Sequence, residues 1–301
     1  MPANPLAYAP LVPTVDANGI IGNLEFWLNQ PARVQRVARS LVNQRFVADV
    51  IFGTGPQASG GAVMYDQVTE NDLYLTRDVQ EIQAGADYPV LTDEAPTPKM
   101  AAVKKWGGRV FVTDEDRDRN AYNVVTRELT KLGNTVIRKV DGVAIASLLA
   151  APILSDVGTD WSDPVAGDPI GDIVNGRQLS NALDMGYELD TVLINSQEEA
   201  SLLGIKTFRE SLSDPSKDAI VRGANLGKVM RMDFIVSNRI TPGEAIILER
   251  GTVGGISNEV PYQTKTYREE GADKTWVQGS RRVVPYVTDP KAVVRLTGLA
   301  G

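Results

Sequence analysis

Between Val112 and Leu149 the chain reads "VTDEDRDRNAYNVVTRELTKLGNTVIRKVDGVAIASLL", the stretch that most constrains what it can fold into. Tyr122, Val125, Leu129, Leu132, Val136, Val140 and Val143 recur at spacings of three and four. Such spacing lays one apolar stripe along a helix and turns it towards a partner surface. As a single helix the stretch would run about 35 residues, or roughly 50 Å at 1.5 Å per residue. Thr113 followed by Asp116 has the form of a capping box. Asp114, Glu115, Asp116 and Asp118 precede Arg127, Lys131, Arg138 and Lys139, the order that the helix dipole favours. Gly133 and Gly142 each cost about 1 kcal/mol against alanine and are places for a bend. A rod this long is expected to be the backbone of something large.

The rest of the composition excludes chemistry. The 301 residues, 43% apolar, suffice for one or two substantial cores. There is no histidine and no cysteine, which removes serine–histidine triads, imidazole acid–base work, thiolate sites and disulfides. The glycine-rich "FGTGPQASGGA", residues 52–62, has no lysine and no helix signal after it, so it reads as a flexible turn and not a phosphate cradle. Acids 114–118 could hold Mg²⁺ through oxygen, but helix-start chemistry already accounts for them. A carboxylate pair is the one catalytic device left, and no pair stands out. The chain is expected to be neither an enzyme nor a holder of metal or cofactor. The longest apolar run, Val143–Leu154, is about a dozen residues and contains Ser147 and Pro152, so no membrane span is expected. The start, "MPANPLAYAPLVPTVDANG", lacks the charged and apolar regions of a signal peptide.

Along the chain, the first 20 or so residues are rich in Pro and Ala without periodicity, a tail that needs contacts to be ordered. Residues 23–52 suggest a helix after Pro31 with Trp27, Val34, Val37 and Leu41 on one face and Arg33, Arg36, Arg39 and Arg45 on the others. A basic helix of this kind binds nucleic acid or membranes in some proteins and is more often a solvated, salt-bridged face. From Pro56 to Pro98 "VMYDQV" and "LYLTRDVQEI" favour strands without a strong apolar face. This segment holds Asp66, Glu70, Asp72, Asp78, Glu81, Asp87, Asp93 and Glu94 against the single base Arg77. Its net charge of −7 equals that of the whole chain, so everything outside it sums to zero. Further on, Asp168 and Pro169 mark a helix start, "DTVLIN" a short buried strand, and Ser196 with Glu199 a second capping box. "DFIVS" and "EAIILE" read as strands, "VPYQTKTYREEGADKTWVQGSRRVVPYV" as two long strands about a Gly-Ala-Asp turn, and "KAVVRLTGL" as a last strand. The order of elements is that of an α+β protein.

Five segments in this order resemble the major capsid proteins of tailed bacteriophages, with their Hong Kong 97-type capsid fold. They are "AGADYPVL" (84–91), "KKWGGRVFVTDEDRDRNAYNVV" (104–125), "VIRKVDGVAIASLL" (136–149), "DTVLINSQEEASLLG" (190–204) and "SRRVVPYVTDPKAVVRLTGL" (280–299). The resemblance implies an N-terminal arm over 1–55, an extended β-hairpin loop over 56–98 that reaches a neighbour, and a peripheral domain over 99–151 whose spine is the long helix. It further implies an axial domain over 152–258, return strands of the peripheral domain over 259–287, and a C-terminal axial strand over 288–301. The expected function is structural: self-assembly into pentamers and hexamers of an icosahedral head, built in the host bacterial cytoplasm and enclosing double-stranded DNA without sequence-specific binding. Scaffolding, portal and decoration proteins are the other partners implied, with no membrane. The alternative on the same fold is an encapsulin-type shell around cargo enzymes.

The charge asymmetry adds an expectation about contacts between subunits. Asp66, Glu70, Asp72, Asp78 and Glu81 of the acidic arm are expected to meet bases of a neighbour, with Arg33, Arg36, Arg39, Arg127, Lys131 and Arg138 as candidates. Some relatives weld subunits by an isopeptide bond from a loop lysine. Here no lysine precedes Lys99, at the base of the arm, so a non-covalent shell is expected.

Overall fold

The four residues of β6 (Thr191–Ile194) are all buried, which a strand achieves only when both faces of its sheet are covered. In the computed structural model, which describes residues 46–69, 75, 79–83, 85, 87–91, 98–119, 122–205, 208, 228–229 and 231–300, β6 lies inside a six-stranded sheet. The sheet order is β5 (Leu154–Val157), β12 (Val293–Thr297), β9 (Glu244–Leu248), β6, β8 (Met232–Val236) and β7 (Lys228–Val229). Alternate side chains leave opposite faces, as the two-residue period of a strand requires. Val192, Ile194, Ile247, Val294 and Leu296 pack with Trp161 and with α4 (Pro169–Asn181) and α5 (Ser196–Gly204), through Ile173 and Leu202. Leu193, Ile246, Leu248 and Val293 face the other way, into a core shared with the long helix.

A second sheet has four strands in the order β1 (Gly53–Thr54), β10 (Gly254–Glu269), β11 (Lys274–Val287) and β4 (Lys104–Thr113). β10 and β11 are the two long strands expected from alternation. Their turn is a short 3-10 segment, Glu270–Ala272, closed by Asp273 with φ +45°. The long helix, α3 (Tyr122–Leu149), lies on one face of this sheet. Its Val125, Leu129, Leu132, Val136 and Val140 are buried, as the stripe predicts, while Val143 is only half-buried. Ile137, Ala144, Ile145 and Leu148 are buried as well, so the stripe widens where the helix passes from the four-stranded to the six-stranded sheet. The helix runs through Gly133 and Gly142 without interruption over 28 residues, roughly 42 Å. Close packing is possible because Gly279 of β11 has no side chain: a Cβ there would stand 2.4 Å from the Tyr262 hydroxyl.

The single rod from Val112 does not form. Val112 and Thr113 end β4, where Val112 pairs with Thr275 and is buried. Helix resumes as α2 (Asp114–Asp118), which stops at Arg119 (φ −78°, ψ 0°) before α3 begins. Thr113 does cap α2: its hydroxyl accepts from the Asp116 N–H at 3.3 Å and donates to the Asp116 carboxylate at 3.0 Å. Asp168 caps α4 as expected, accepting from the Gly171 N–H at 3.0 Å. The cap of α5 is Asn195 and not Ser196. The Asn195 side chain accepts from the Gln197 N–H and donates 2.7 Å to the Ile240 carbonyl, and that long-range bond selects it.

The acidic arm leaves the body through a small hairpin, β2 (Ala62–Asp66) on β3 (Pro98–Ala102). The glycine-rich residues before it are not merely a turn, since Gly53 and Thr54 pair in parallel with Gly255 and Ile256. Of the expected strand "LYLTRDVQEI", 73–82, residues 75 and 79–82 are described and form no strand, as befits a segment without a strong apolar face; its other residues, most of the N-terminal arm and the arginine helix with Arg33, Arg36, Arg39 and Arg45 lie outside the described residues.

Candidate assembly interface

With α3 covering one face of the four-stranded sheet, period-two alternation assigns the other face its own residues. Register aligns Tyr267, Trp276 and Phe111 across β10, β11 and β4, and in the next row Lys265, Gln278 and Arg109. The aromatic row is a built surface. Trp276 meets Phe111 edge-on at 5.4 Å and stacks beside Tyr267 at 6.5 Å. The Arg109 guanidinium sits 4.1 Å over the Trp276 ring and donates to the Tyr267 hydroxyl at 2.9 Å. Lys274 lies 5.0 Å over Phe111. Each exposed cation–π contact is worth about 0.5–1 kcal/mol, enough to hold these side chains flat on the sheet.

Beside that row runs a shallow groove of about 320 Å³ lined by Lys105, Gly107, Arg109, Tyr267, Gln278 and Ser280. Gly107 opens it and has to be glycine, because a Cβ there would lie 2.5 Å from the Gly279 carbonyl oxygen. Lys105, Arg109 and Lys265 are exposed, and among the described residues no carboxylate pairs with them. Glu269 is held by the Trp276 indole N–H at 2.6 Å. Past one end of the groove Arg282 faces Glu259 at 3.6 Å. The face is therefore basic and aromatic. At the other end of the sheet, Arg268 grips Asp114 through two bonds of 2.9 and 2.7 Å, and this hydrogen bonding holds the Asp114 carboxyl below its usual range.

The far end of the same face is covered. Val284 and Tyr286 continue the even-numbered alternation of β11 and pack under the hairpin β2–β3, with Tyr65 and Tyr286 rings 5.0 Å apart. The hairpin's outward pair, Met64 and Met100, is left in solvent at 73% and 72% exposure.

On the helix side, the chain enters through α1 (Ala48–Ile51), whose first N–H groups are capped by Asp141 from α3, 3.0 Å from the Ala48 nitrogen. Burial raises the Asp141 carboxyl from 3.8 to about 6, against the pull of the Ala48 and Val47 N–H groups; nearby Asp49 adds to the rise and Arg281 opposes it. Buried Arg281 donates to Asp49 and Asn258, both at 2.8 Å, and lies 4.5 Å over the Phe46 ring.

Of the contact residues expected from sequence, Asp66 ends β2 and is exposed, and Glu81 is exposed. Glu70, Asp72, Asp78, Arg33, Arg36 and Arg39 lie outside the described residues. Arg127, Lys131 and Arg138 are exposed on α3, where Glu128 pairs with Arg127 at 3.7 Å and Lys131 at 2.9 Å. The sequence reading missed Lys105, Arg109, Lys265 and the aromatic row. A signal was there: Lys265–Tyr267–Glu269 and Lys274–Trp276–Gln278 alternate in step on two strands it had already assigned. Among the described residues no cluster of acids is arranged to hold a metal, and no helix is long and apolar enough to cross a membrane.

Comparison with known proteins gives the family and the fold. The profile of a family described as phage capsid protein matches residues 96–296, which include both sheets' long strands and the helix α3. No curated protein matches the chain. Solved structures do. The virus-like particle from Pyrococcus furiosus aligns over 86% of this chain and 95% of its own, with 16% identity and a TM-score of 0.60. The capsid of cyanophage P-SCSP1u aligns over 85% and 89%, with 13% identity and a TM-score of 0.59. The capsid of Myoviridae phage XM1 aligns over 83% and 90%, with 11% identity and a TM-score of 0.56. At these identities the likeness is one of fold.

Proposed function

Since this chain belongs to the phage capsid protein family and has the Hong Kong 97-type α+β fold, we propose that copies of it assemble as pentamers and hexamers into an icosahedral phage head enclosing double-stranded DNA. The observation that carries the reading is the family match over 96–296 in a chain whose four-stranded sheet is finished on one face only. A capsid shell protein is built to leave surface for its copies. Residues 99–151 with 259–287 would form the peripheral domain, spanned by α3. Residues 152–258 with 288–301 would form the axial domain, which closes pentamers and hexamers, while 1–55 and 56–98 serve as arm and extended loop. Portal, scaffolding and decoration proteins would complete the head, assembled in the host cytoplasm. The net charge of −7 favours contents that can leave, since an acidic wall does not neutralise phosphates.

A second reading, a shell around protein cargo, is favoured by the match to the Pyrococcus furiosus virus-like particle, 95% of whose chain is covered. Electron microscopy of the purified chain, with nuclease-protected DNA measured on particles from cells carrying the phage genes, tests both. Closed shells with protected DNA support the head. Closed shells with protein inside and no DNA support the second reading, and a chain that forms no shells contradicts both.

A further inference from the structure

Asp141 lies next to Val140 in the buried stripe of α3 and is itself 5% exposed. Its side chain serves another element: the carboxyl accepts from the Ala48 N–H of α1 at 3.0 Å. α1 is a single turn whose N-cap, Val47, provides no side-chain cap, so its first N–H groups depend on α3. Three ionisable side chains meet at this junction from three elements: Asp49 of α1, Asp141 of α3 and Arg281 of β11. The buried Arg281 guanidinium is committed to Asp49 and to the Asn258 amide of β10, and lies over the Phe46 ring. Its Nη1 has no partner, and no hydrogen bond or ion pair joins it to Asp141. Asp141 is therefore a buried carboxyl served by peptide N–H groups, with no cation bonded to it. Phe46, Ile51, Val136 and Val140, packed about the junction, are apolar. Such a carboxyl is stable as the neutral acid. Its ionisation sets a second negative charge near Asp49, with one guanidinium for both.

We propose that Asp141 is the pin of a proton-controlled latch, which clasps α1 to α3 and β11 while its carboxyl is neutral and loosens the root of the N-terminal segment when it ionises. Burial raises that carboxyl to about 6; Asp49 adds to the rise, while the Ala48 and Val47 N–H groups and Arg281 oppose it. The clasp is thus fully closed below pH 4 and is lost as pH rises through 6. Ile51 and Phe52 are buried, and beyond them β1 pairs with β10. The chain after α1 therefore stays fixed, and the loosening falls on the residues that lead into it. The latch lies within one subunit, so it goes beyond the shell reading and does not rest on it.

Hydrogen exchange of the full, unassembled chain tests it, read by mass spectrometry on a peptide spanning 46–52 and corrected for the intrinsic pH dependence of exchange. The carboxyl stands at about 6 in the closed junction against 3.8 when released, so protection of 46–52 is expected to fall about ten-fold between pH 5 and pH 7.5. At both pH values this peptide should exchange faster than β6, as a local opening requires. Asp141→Asn, with no proton to lose, should show the same protection at both. Asp49→Asn leaves the Arg281 guanidinium to Asp141, so the fall should shrink to less than about three-fold. Equal protection of the original chain at the two pH values would overturn the latch, and so would a ten-fold fall that persists in either variant. Exchange of 46–52 no faster than that of β6 would make the opening global and overturn it as well.

Discussion

The two sheets of this subunit are built to different degrees of completion. The six-stranded sheet has helices α4 and α5 on one face and α3 on the other, and its central strand β6 exposes nothing. The four-stranded sheet has α3 on one face, while the other carries cations, aromatics and a groove. Burial on both faces makes the first self-sufficient. The second is stable because α3 anchors it, yet its outer face has been given charge and ring chemistry that water alone does not require. In the shell subunit proposed above, the first kind of sheet would keep the subunit's shape and the second would be free to meet neighbours.

The largest expected effect breaks the complete sheet. Trp161 is fully buried against it, with its indole N–H on the Asp172 carboxylate at 2.8 Å. Trp161→Ala is expected to cost about 3–5 kcal/mol, measured by denaturant unfolding of the unassembled chain. The next concerns the junction where α1 meets α3. The Asp141 carboxyl stands at about 6 in the folded chain, above its ordinary 3.8. Its contribution to stability is therefore fully present below pH 4 and is lost as pH rises through 6, by an amount on the order of 3 kcal/mol. Asp141→Asn keeps an acceptor for the Ala48 N–H and removes the buried charge. It should raise the melting temperature at pH 7.5 and flatten the fall in stability between pH 4 and 7. A melting temperature unchanged at pH 7.5 would contradict this.

Smaller still is the effect of Trp276→Ala on the unassembled chain, expected within about 1 kcal/mol because the ring lies on the open face. The same variant should lower shell yield. An equal loss in both measurements would make the outer face part of the subunit's own stability and erase the contrast between the sheets. The smallest effect is no effect. Lys99 is held at the base of the arm on β3, where its ammonium donates to Gln67. Boiled particles are expected to run as one band near 32.6 kDa, and a ladder of covalent multimers would contradict the non-covalent shell.

Much of the complete region was legible in the sequence. "DTVLI" and "EAIIL" are apolar runs bounded by polar residues, and α3 has its 3.6-residue stripe. What escaped depended on contacts distant in sequence. β4 contains the pair Gly107–Gly108, which locally argues against a strand. It forms because β11 supplies ten partners in register and because Gly107 must approach the Gly279 carbonyl closely. The break after α2 has neither proline nor glycine to announce it, since β4 fixes where Thr113 must be. Asn195 outcompetes Ser196 as a cap through a bond to Ile240, 45 residues away. The open face escaped for a related reason: sequence showed an acidic arm in need of bases, and bases were sought on helices, whereas register gathers Lys105 and Arg109 of β4 and Lys265 of β10 on either side of β11.

The central claim is that the open face of the four-stranded sheet is completed by another copy. A cryo-electron microscopy reconstruction of purified particles tests it most directly. The account predicts residues of a neighbouring subunit lying across Lys105, Arg109, Tyr267 and Trp276. A reconstruction in which that face stays in solvent would contradict it.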